Sequence, residues 1–259
     1  MSGLLLRLAG PLQSWGERSA FLPERESAPF PTRSGLIGMF SAAQGLQRGA
    51  DLSRYDELEF TVRADRPGTL LEDYHTAGGG QPPERTAATS GGKHKGAAVI
   101  TRRHYLADAV FVVAVTGPAR ILTETAQALE QPHWSPYLGR RSCPPDEPFV
   151  LRSDVTDPVD ELRNRVPLST PLPRRPRDEA TETLPVSFLW ERLPEPRPRD
   201  AVALSLYDRP VTFAQHARRH DNRTLHRTTE HLPAALATPD NAPTCHRLID
   251  YALGKEPTA

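Results

Sequence analysis

Proline constrains this chain more than any other residue. Of 259 residues 27 are proline, about double the usual ~5%, and they crowd into positions 132 to 210. Each removes a backbone donor and clashes with the preceding helical turn, so long helices are disfavoured there. That half reads as strands and loops, and the helices are expected ahead of it.

The first half supplies the periodic segments. Gly3 to Ala9 is short, almost wholly apolar and closed by Gly10-Pro11, which suits a central strand buried on both faces. From Gly35 to Gln47 apolar positions recur at Leu36, Met39, Phe40, Ala43 and Leu46, the spacing of a helix face. Thr32 or Ser34 can cap it, and Gly49 sits where a helix commonly ends. Glu57 to Ala64 alternates, with Leu58, Phe60, Val62 and Ala64 on one face and Glu57, Glu59, Thr61 and Arg63 on the other, as a half-buried strand does. Ala109 to Val115 is a further buried strand, and Pro118 to Glu130 a helix.

The order is therefore β-α-β-β-α. A strand near Pro148 to Arg152 would complete the split β-α-β pattern of the ferredoxin-like (RRM-like) fold, an α+β architecture that RNA-recognition domains use. Residues 1–152 form that expected domain. Leu184 to Leu193 and Ala201 to Tyr207 suggest a small C-terminal β appendage within a Pro-rich region, 153–215. Residues 216–259 read as a polar extension whose last twenty residues are expected to be partly disordered. Residues 75 to 98 hold Gly78-Gly79-Gly80, Pro82-Pro83 and Gly91-Gly92 with few apolar anchors, the mark of a long excursion outside the core.

Lysine plus arginine and aspartate plus glutamate each number 32, so the chain is neither a polycation nor an acidic tail protein. Any anion site must be local. No apolar run approaches the roughly 18 residues of a membrane span, and the N-terminus lacks a charged segment ahead of Leu4 to Leu6; a cytoplasmic protein without membrane contact is expected. Cys143 and Cys245 fall in no metal or disulfide spacing. Between Arg85 and Ala107 stand Arg85, Lys93, Lys95, Arg102 and Arg103 with no carboxylate, beside His94, His104 and Tyr105. Mobile cations with planar groups suit a polyphosphate backbone and its bases, although a solvated loop has the same composition. Arg163 to Arg177 is a second acid-free stretch, and Arg140-Arg141 a third cluster beside Tyr137 and Gly139. Thr32-Arg33-Ser34-Gly35 opens a helix with free N–H groups, hydroxyls and a guanidinium, a phosphate site by its chemistry and equally an ordinary cap. Trp15 can stack on a base, but core packing is the better single-residue reading.

Lys, His and Arg of the Lys93-His94-Lys95 and Arg103-His104-Tyr105 runs could cut RNA without metal, yet no spacing sets a general acid opposite a general base. Ser90-Gly91-Gly92-Lys93 lacks the earlier glycine and the following Ser/Thr of a P-loop. His216 and His220 lie four apart on a possible helix, but no glutamate completes H-E-x-x-H and Arg218-Arg219 would repel a dication. Neither a metal, a cofactor nor a small-molecule substrate is expected.

Four segments together resemble one family. They are Arg7-Leu8-Ala9-Gly10-Pro11-Leu12-Gln13-Ser14-Trp15-Gly16, Phe30-Pro31-Thr32-Arg33-Ser34-Gly35-Leu36-Ile37-Gly38, Asp73-Tyr74-His75-Thr76, and Ser135-Pro136-Tyr137-Leu138-Gly139-Arg140-Arg141-Ser142-Cys143-Pro144. In content and order they are similar to the CasD subunits of type I-E CRISPR Cascade complexes, within the Cas five group of repeat-associated (RAMP) proteins. The resemblance implies a ferredoxin-like domain with a projecting thumb, here about 75–103, which grips the 5′ handle of the crRNA without cutting it. It implies contact with the adjacent backbone subunit and with the large subunit that reads the protospacer-adjacent motif. The implied RNA contacts are Gln13, Trp15, Thr32, Arg33, Ser34, Gly35, His75, Lys93, Lys95, Arg102, Arg103, Arg140 and Arg141. Type I-C relatives cut their precursor, so a metal-independent repeat endonuclease using His94, His104 and Tyr105 is the alternative. Past Leu151 the similarity thins, and 222–259 extends beyond the family's usual end.

Overall fold

The computed structural model describes residues 3–16, 24–86, 93–94, 96, 98–171, 182–215, 217–238 and 244–255. In chain order its strands and α-helices are β1 (Gly3–Ala9), β2 (Leu12–Gln13), β3 (Glu24–Arg25), α1 (Arg33–Ala43), β4 (Glu59–Arg66), β5 (Thr69–Ala77), β6 (Val99–Ala107), β7 (Val110–Thr116) and α2 (Ala119–Glu130). There follow β8 (Val150–Val155), α3 (Pro158–Asn164), β9 (Leu168–Pro171), β10 (Thr183–Trp190), β11 (Val202–Thr212), β12 (Arg219–Pro233), β13 (Ala237–Thr238) and α4 (Thr244–Ala252).

The two most apolar strands lie side by side. β1 pairs antiparallel with β7 from Gly3 opposite Thr116 to Ala9 opposite Val110, and β4 and β8 flank the pair, also antiparallel. Alternate side chains feed two separate cores. Leu4, Leu6, Leu8, Phe111, Val113 and Val115 face α1 and α2, meeting Leu36, Phe40, Leu122 and Leu129. Leu5, Val112 and Ala114 point the other way, into a core with Leu162, Phe188, Trp190, Leu248 and Tyr251.

That second core corrects the expected C-terminal appendage. Strands with no polar face need cover on both sides, and described residues between Val155 and Tyr251 provide it. β10, β12 and β11 lengthen the same sheet to seven strands in the order β11-β12-β10-β4-β7-β1-β8, while α3 and α4 contribute to the second core. The polar extension assigned to 216–259 therefore holds a fifteen-residue strand, β12, between β10 and β11. Residues 244–252 of the tail form α4, whose Tyr251 hydroxyl donates to the Glu161 carboxylate at 2.7 Å. Burial and that carboxylate push the Tyr251 pKa well above the usual phenol range.

β4 is likewise covered on both faces. Arg63, expected on its wet side, is fully buried. Its Nε and Nη2 donate to Asp65 at 2.7 and 3.0 Å, and Nη1 and Nη2 reach the carbonyls of Leu162, Val166 and Pro167. A buried guanidinium is tolerable only with such full pairing.

Two boundaries also move. α1 ends at Ala43, and Gly45 (φ +72°) rather than Gly49 is the glycine that terminates it: the Gly45 N–H bonds Ala42 O and the Leu46 N–H bonds Ser41 O, closing the orphan carbonyls by a Schellman turn. Of the described residues in the 75–98 excursion only 75–77 lie in a strand: the excursion joins β5 to β6, which pair from Thr69 opposite Ala107 to Ala77 opposite Val99. β2 and β3 add to β6 in a second, small sheet. Among the described residues no helix is long and apolar enough to cross a membrane.

Candidate nucleic-acid interface

The loop after β1 folds back over its own strand because Gln13 and Trp15 go inward. Gln13, fully buried, donates from Nε2 to the carbonyls of Leu8 and Ala109 at 2.9 and 2.8 Å and accepts the Trp15 indole N–H at 3.0 Å. The Tyr137–Arg140 loop is stitched onto it: Ser14 N–H bonds Leu138 O at 3.0 Å. Gly139 lies at φ +84°, where a Cβ would fall 1.7 Å from Ser14 O. Only glycine allows that approach. Gly35 plays a similar part, since a Cβ there would meet the Trp15 ring at 2.8 Å.

The helix start is capped from within the chain. Thr32 is the N-cap, accepting from Gly35 N–H, and Asp208, fully buried, accepts the Arg33 N–H at 2.7 Å. The positive end of α1 already holds a carboxylate. Arg33 is 7% exposed, and its guanidinium serves Leu58 O, Tyr55 O and Glu191 at 2.7–2.9 Å. Arg223 completes the cluster, bonding Asp208 at 2.5 and 2.8 Å and Glu191 at 3.0 Å. Arg33 and Gln13, both expected to contact RNA, thus direct these hydrogen bonds to partners within the protein.

Beside this cluster opens a cavity of about 730 Å³. Among the described residues its wall carries Arg25, Arg103, Arg140, Arg218 and His220 against a single carboxylate, Glu26, with Trp15, Ser34, Gly35 and Tyr207 among the remaining residues. Arg140 lies over the Tyr105 ring at 4.7 Å and donates to Arg25 O at 2.9 Å. Its Nη1 and the His220 Nε2 are buried with no hydrogen-bond partner among the described residues. Such groups cost about 1–3 kcal/mol until something binds them. Burial first, and then the charge of Arg218, holds the His220 pKa below the ordinary histidine value, with Asp208 opposing.

A second groove of about 1070 Å³ continues over α1, sharing Ser34, Gly35, Gly139 and Arg218 with the first. Its lining includes Arg48, Arg141, Trp134, Tyr137 and Phe213 and, among the described residues, no aspartate or glutamate. Arg218 stacks on Phe213 at 5.3 Å. Although the residue is exposed, its guanidinium lies against that ring, and this burial together with the like charge of Arg48 lowers its pKa.

Of the residues expected from sequence, the structure brings Trp15, Thr32, Ser34, Gly35, Arg103 and Arg140 to the first cavity, and Arg141 to the second. Trp15 reaches it as a fully buried wall. His75, Lys93 and Arg102 line neither cavity; His75 sits 3.4 Å from Asp73 and Arg102 bonds Glu72 at 3.1 Å, so β5 offsets part of the basic charge of β6. Lys95 lies outside the described residues, as do His216, Arg174, Arg175 and Arg177. In the second acid-free stretch Arg163 pairs with Glu230 and Arg165 with Glu161. His220 is on β12, not on a helix. Sequence reading missed Arg25, Arg48, Arg218, Tyr207 and His220 as site residues; the two arginines of Arg218-Arg219 were the available signal for one of them.

The comparisons with known proteins agree with one another. The family described as CRISPR-associated protein (Cas_Cas5) matches residues 3–226. This chain belongs to that CRISPR-associated family. A relative from Escherichia coli (strain K12), "CRISPR system Cascade subunit CasD", is 37% identical over 182 residues, 64% of this chain and 78% of the relative. A solved chain of a "CRISPR RNA-guided surveillance complex" is 47% identical with a TM-score of 0.85, over 97% of this chain and 100% of that one. Another, titled "Crystal structure of Cas protein", is 29% identical with a TM-score of 0.61, over 93% and 100%. The residues lining both cavities, from Ser14 to His220, fall inside the segment matched by the CRISPR-associated family.

Proposed function

We propose that this chain is the crRNA-binding CasD-type subunit of a type I-E Cascade complex, and that its arginine cavity holds the 5′ handle of the crRNA without cutting it. One observation carries the reading: in a chain of zero formal net charge, four arginines and a histidine converge on one cavity beside, among the described residues, a single glutamate. Phosphates supply the missing charge, and the unpartnered Arg140 Nη1 donor and His220 Nε2, a donor when the imidazole carries its proton there, supply hydrogen-bonding positions. The strand order β4-β7-β1-β8, with α1 and α2 in the crossovers, supports a ferredoxin-like body. The β5–β6 hairpin is the thumb, directed at the adjacent backbone subunit, and the large motif-reading subunit docks on the body.

The endonuclease alternative is less well supported. His104 and Tyr105 are neighbours on β6 and face opposite ways: Tyr105 is buried under Arg140, while His104 pairs with Glu72 at 3.4 Å. His94 is engaged by Thr86 O at 2.6 Å. These three offer no common face for a general acid and base.

The test is to incubate the purified chain with labelled repeat RNA in EDTA and to run native and denaturing gels. Intact, shifted RNA that is released by an Arg103→Ala, Arg140→Ala double variant is the expected result. A discrete cut at the handle boundary, lost on changing His104 or Tyr105, would make the protein a processing nuclease.

A further inference from the structure

We propose that the groove over α1 is a second RNA subsite, in which bases of the strand leaving the arginine cavity stack on Trp134 and Tyr137 while Arg48, Arg141 and Arg218 neutralise its phosphates. The inference rests on the handle-holding reading of the first cavity.

Three observations carry it. The groove is continuous with that cavity through Gly35, Gly139 and Arg218, and its volume of about 1070 Å³ is at the upper end of what encloses a drug-sized ligand. Its charge is one-sided: among the described residues three arginines and no carboxylate line it. Two of them, Arg48 and Arg218, act on each other as like charges, a penalty that a bound phosphate would remove. Its aromatic surface is presented rather than packed away. Trp134 is 43% exposed, its ring set edge-on by His133 at 4.4 Å and 84°.

A Cβ at Gly38 would stand in ordinary van der Waals contact with the Phe213 ring at 3.8 Å, so that ring packs beside α1 and forms part of the groove lining. Arginine with aromatic faces and no fixed hydrogen-bonding partner is the chemistry of single-strand binding, tolerant of sequence because every base has a π-face. An acidic peptide would also satisfy the arginines. The continuity with a polyanion cavity and the exposed indole favour the nucleic acid.

The test uses Cascade reconstituted with the full chain and with crRNAs carrying 2-aminopurine at successive handle positions. Trp134, Arg48 and Arg141 are all exposed, so Trp134→Ala and the Arg48→Ala, Arg141→Ala pair leave the core intact. Loss of one stacked base weakens binding about tenfold. Trp134→Ala is therefore expected to bind about tenfold more weakly and to relieve the quenching of at least one 2-aminopurine. The arginine pair should reduce the salt slope of log K by about 1.4, at about 0.7 per phosphate contact on a single strand. Should the Arg103→Ala, Arg140→Ala control lose RNA while both groove variants keep wild-type affinity, slope and quenching, the groove is not an RNA subsite and the first cavity still is. Groove variants that keep RNA affinity but shed a protein subunit would make it a protein dock and overturn the proposal. If the wild-type chain holds no handle RNA, both readings fall.

Discussion

Replacing Arg33 separates a structural arginine from a ligand-binding one. Arg33→Ala removes a guanidinium that serves two buried carbonyls, Leu58 O and Tyr55 O, and one oxygen of Glu191, itself 13% exposed. Breaking a buried ion pair costs about 3–5 kcal/mol. The lower end applies, because Glu191 keeps Arg223 at 3.0 Å and only the carbonyls are stranded. At about 2–4 °C per kcal/mol for a chain of this size, about 3 kcal/mol lowers Tm by about 10 °C. Stability of about 5–15 kcal/mol leaves the variant folded at low temperature, so RNA affinity per folded molecule should stay within about twofold. Arg33→Lys should be nearly as damaging, since a point charge on a flexible stem cannot reproduce a fork aimed at three acceptors; a phosphate contact, by contrast, would be rescued by lysine. The assay is a thermal melt alongside a gel-shift titration at 15 °C. A melt within about 2 °C of wild type combined with tenfold weaker RNA binding rescued by lysine would refute this account and restore Arg33 to the ligand.

Arg103→Ala should give the opposite signature, a nearly unchanged melt with weaker handle binding and a salt slope reduced by about 0.7; calorimetry and titration on one preparation check it. The low pKa of His220 means that the folded chain binds fewer protons there than the unfolded chain, so the stability it contributes is present above about pH 6.5 and lost as pH falls below it. Wild type should lose Tm faster than His220→Gln between pH 7 and 5.5, while its handle affinity rises over the same interval because an anion in the cavity favours the imidazolium. Equal pH slopes in the two proteins would remove His220 from the cavity's chemistry. Replacing 78–98 by a two-residue turn closes the hairpin where Ala77 faces Val99; Tm should stay within about 2 °C while incorporation into Cascade, read by co-purification, falls.

What the sequence made legible was what a local pattern records. β1, β7 and α2 follow their apolar periodicity almost residue for residue, because burial of a strand or a helix stripe leaves its period in the chain. The second core did not show itself: that β1 needs cover on both faces was readable, but not that α4, some 240 residues later, helps to supply it. Arg33 and Arg63 failed for a related reason. An arginine reads as exposed unless its partners are known, and the distant ones among them, Glu191 for Arg33 and Leu162 for Arg63, lie 158 and 99 positions away.

The same distance effect explains the site. Arg25, Arg103, Arg140 and Arg218 are spread over nearly 200 residues and meet only because β3 joins β6 and the Gly139 turn closes on Ser14. That turn makes a demand which composition cannot express. At Gly139 any side chain would place a Cβ 1.7 Å from Ser14 O, at a φ of +84° that L residues avoid. Gly139→Ala should therefore force the Tyr137–Arg140 loop off Ser14–Trp15, displace Arg140 from Tyr105, and weaken both stability and handle binding. At Gly35 the neighbour is a ring rather than a backbone oxygen, so Gly35→Ala is an overpacking change costing about 1–3 kcal/mol. If Gly139→Ala melts and binds like wild type, the loop is not held as described, and the cavity it walls would have to be redrawn.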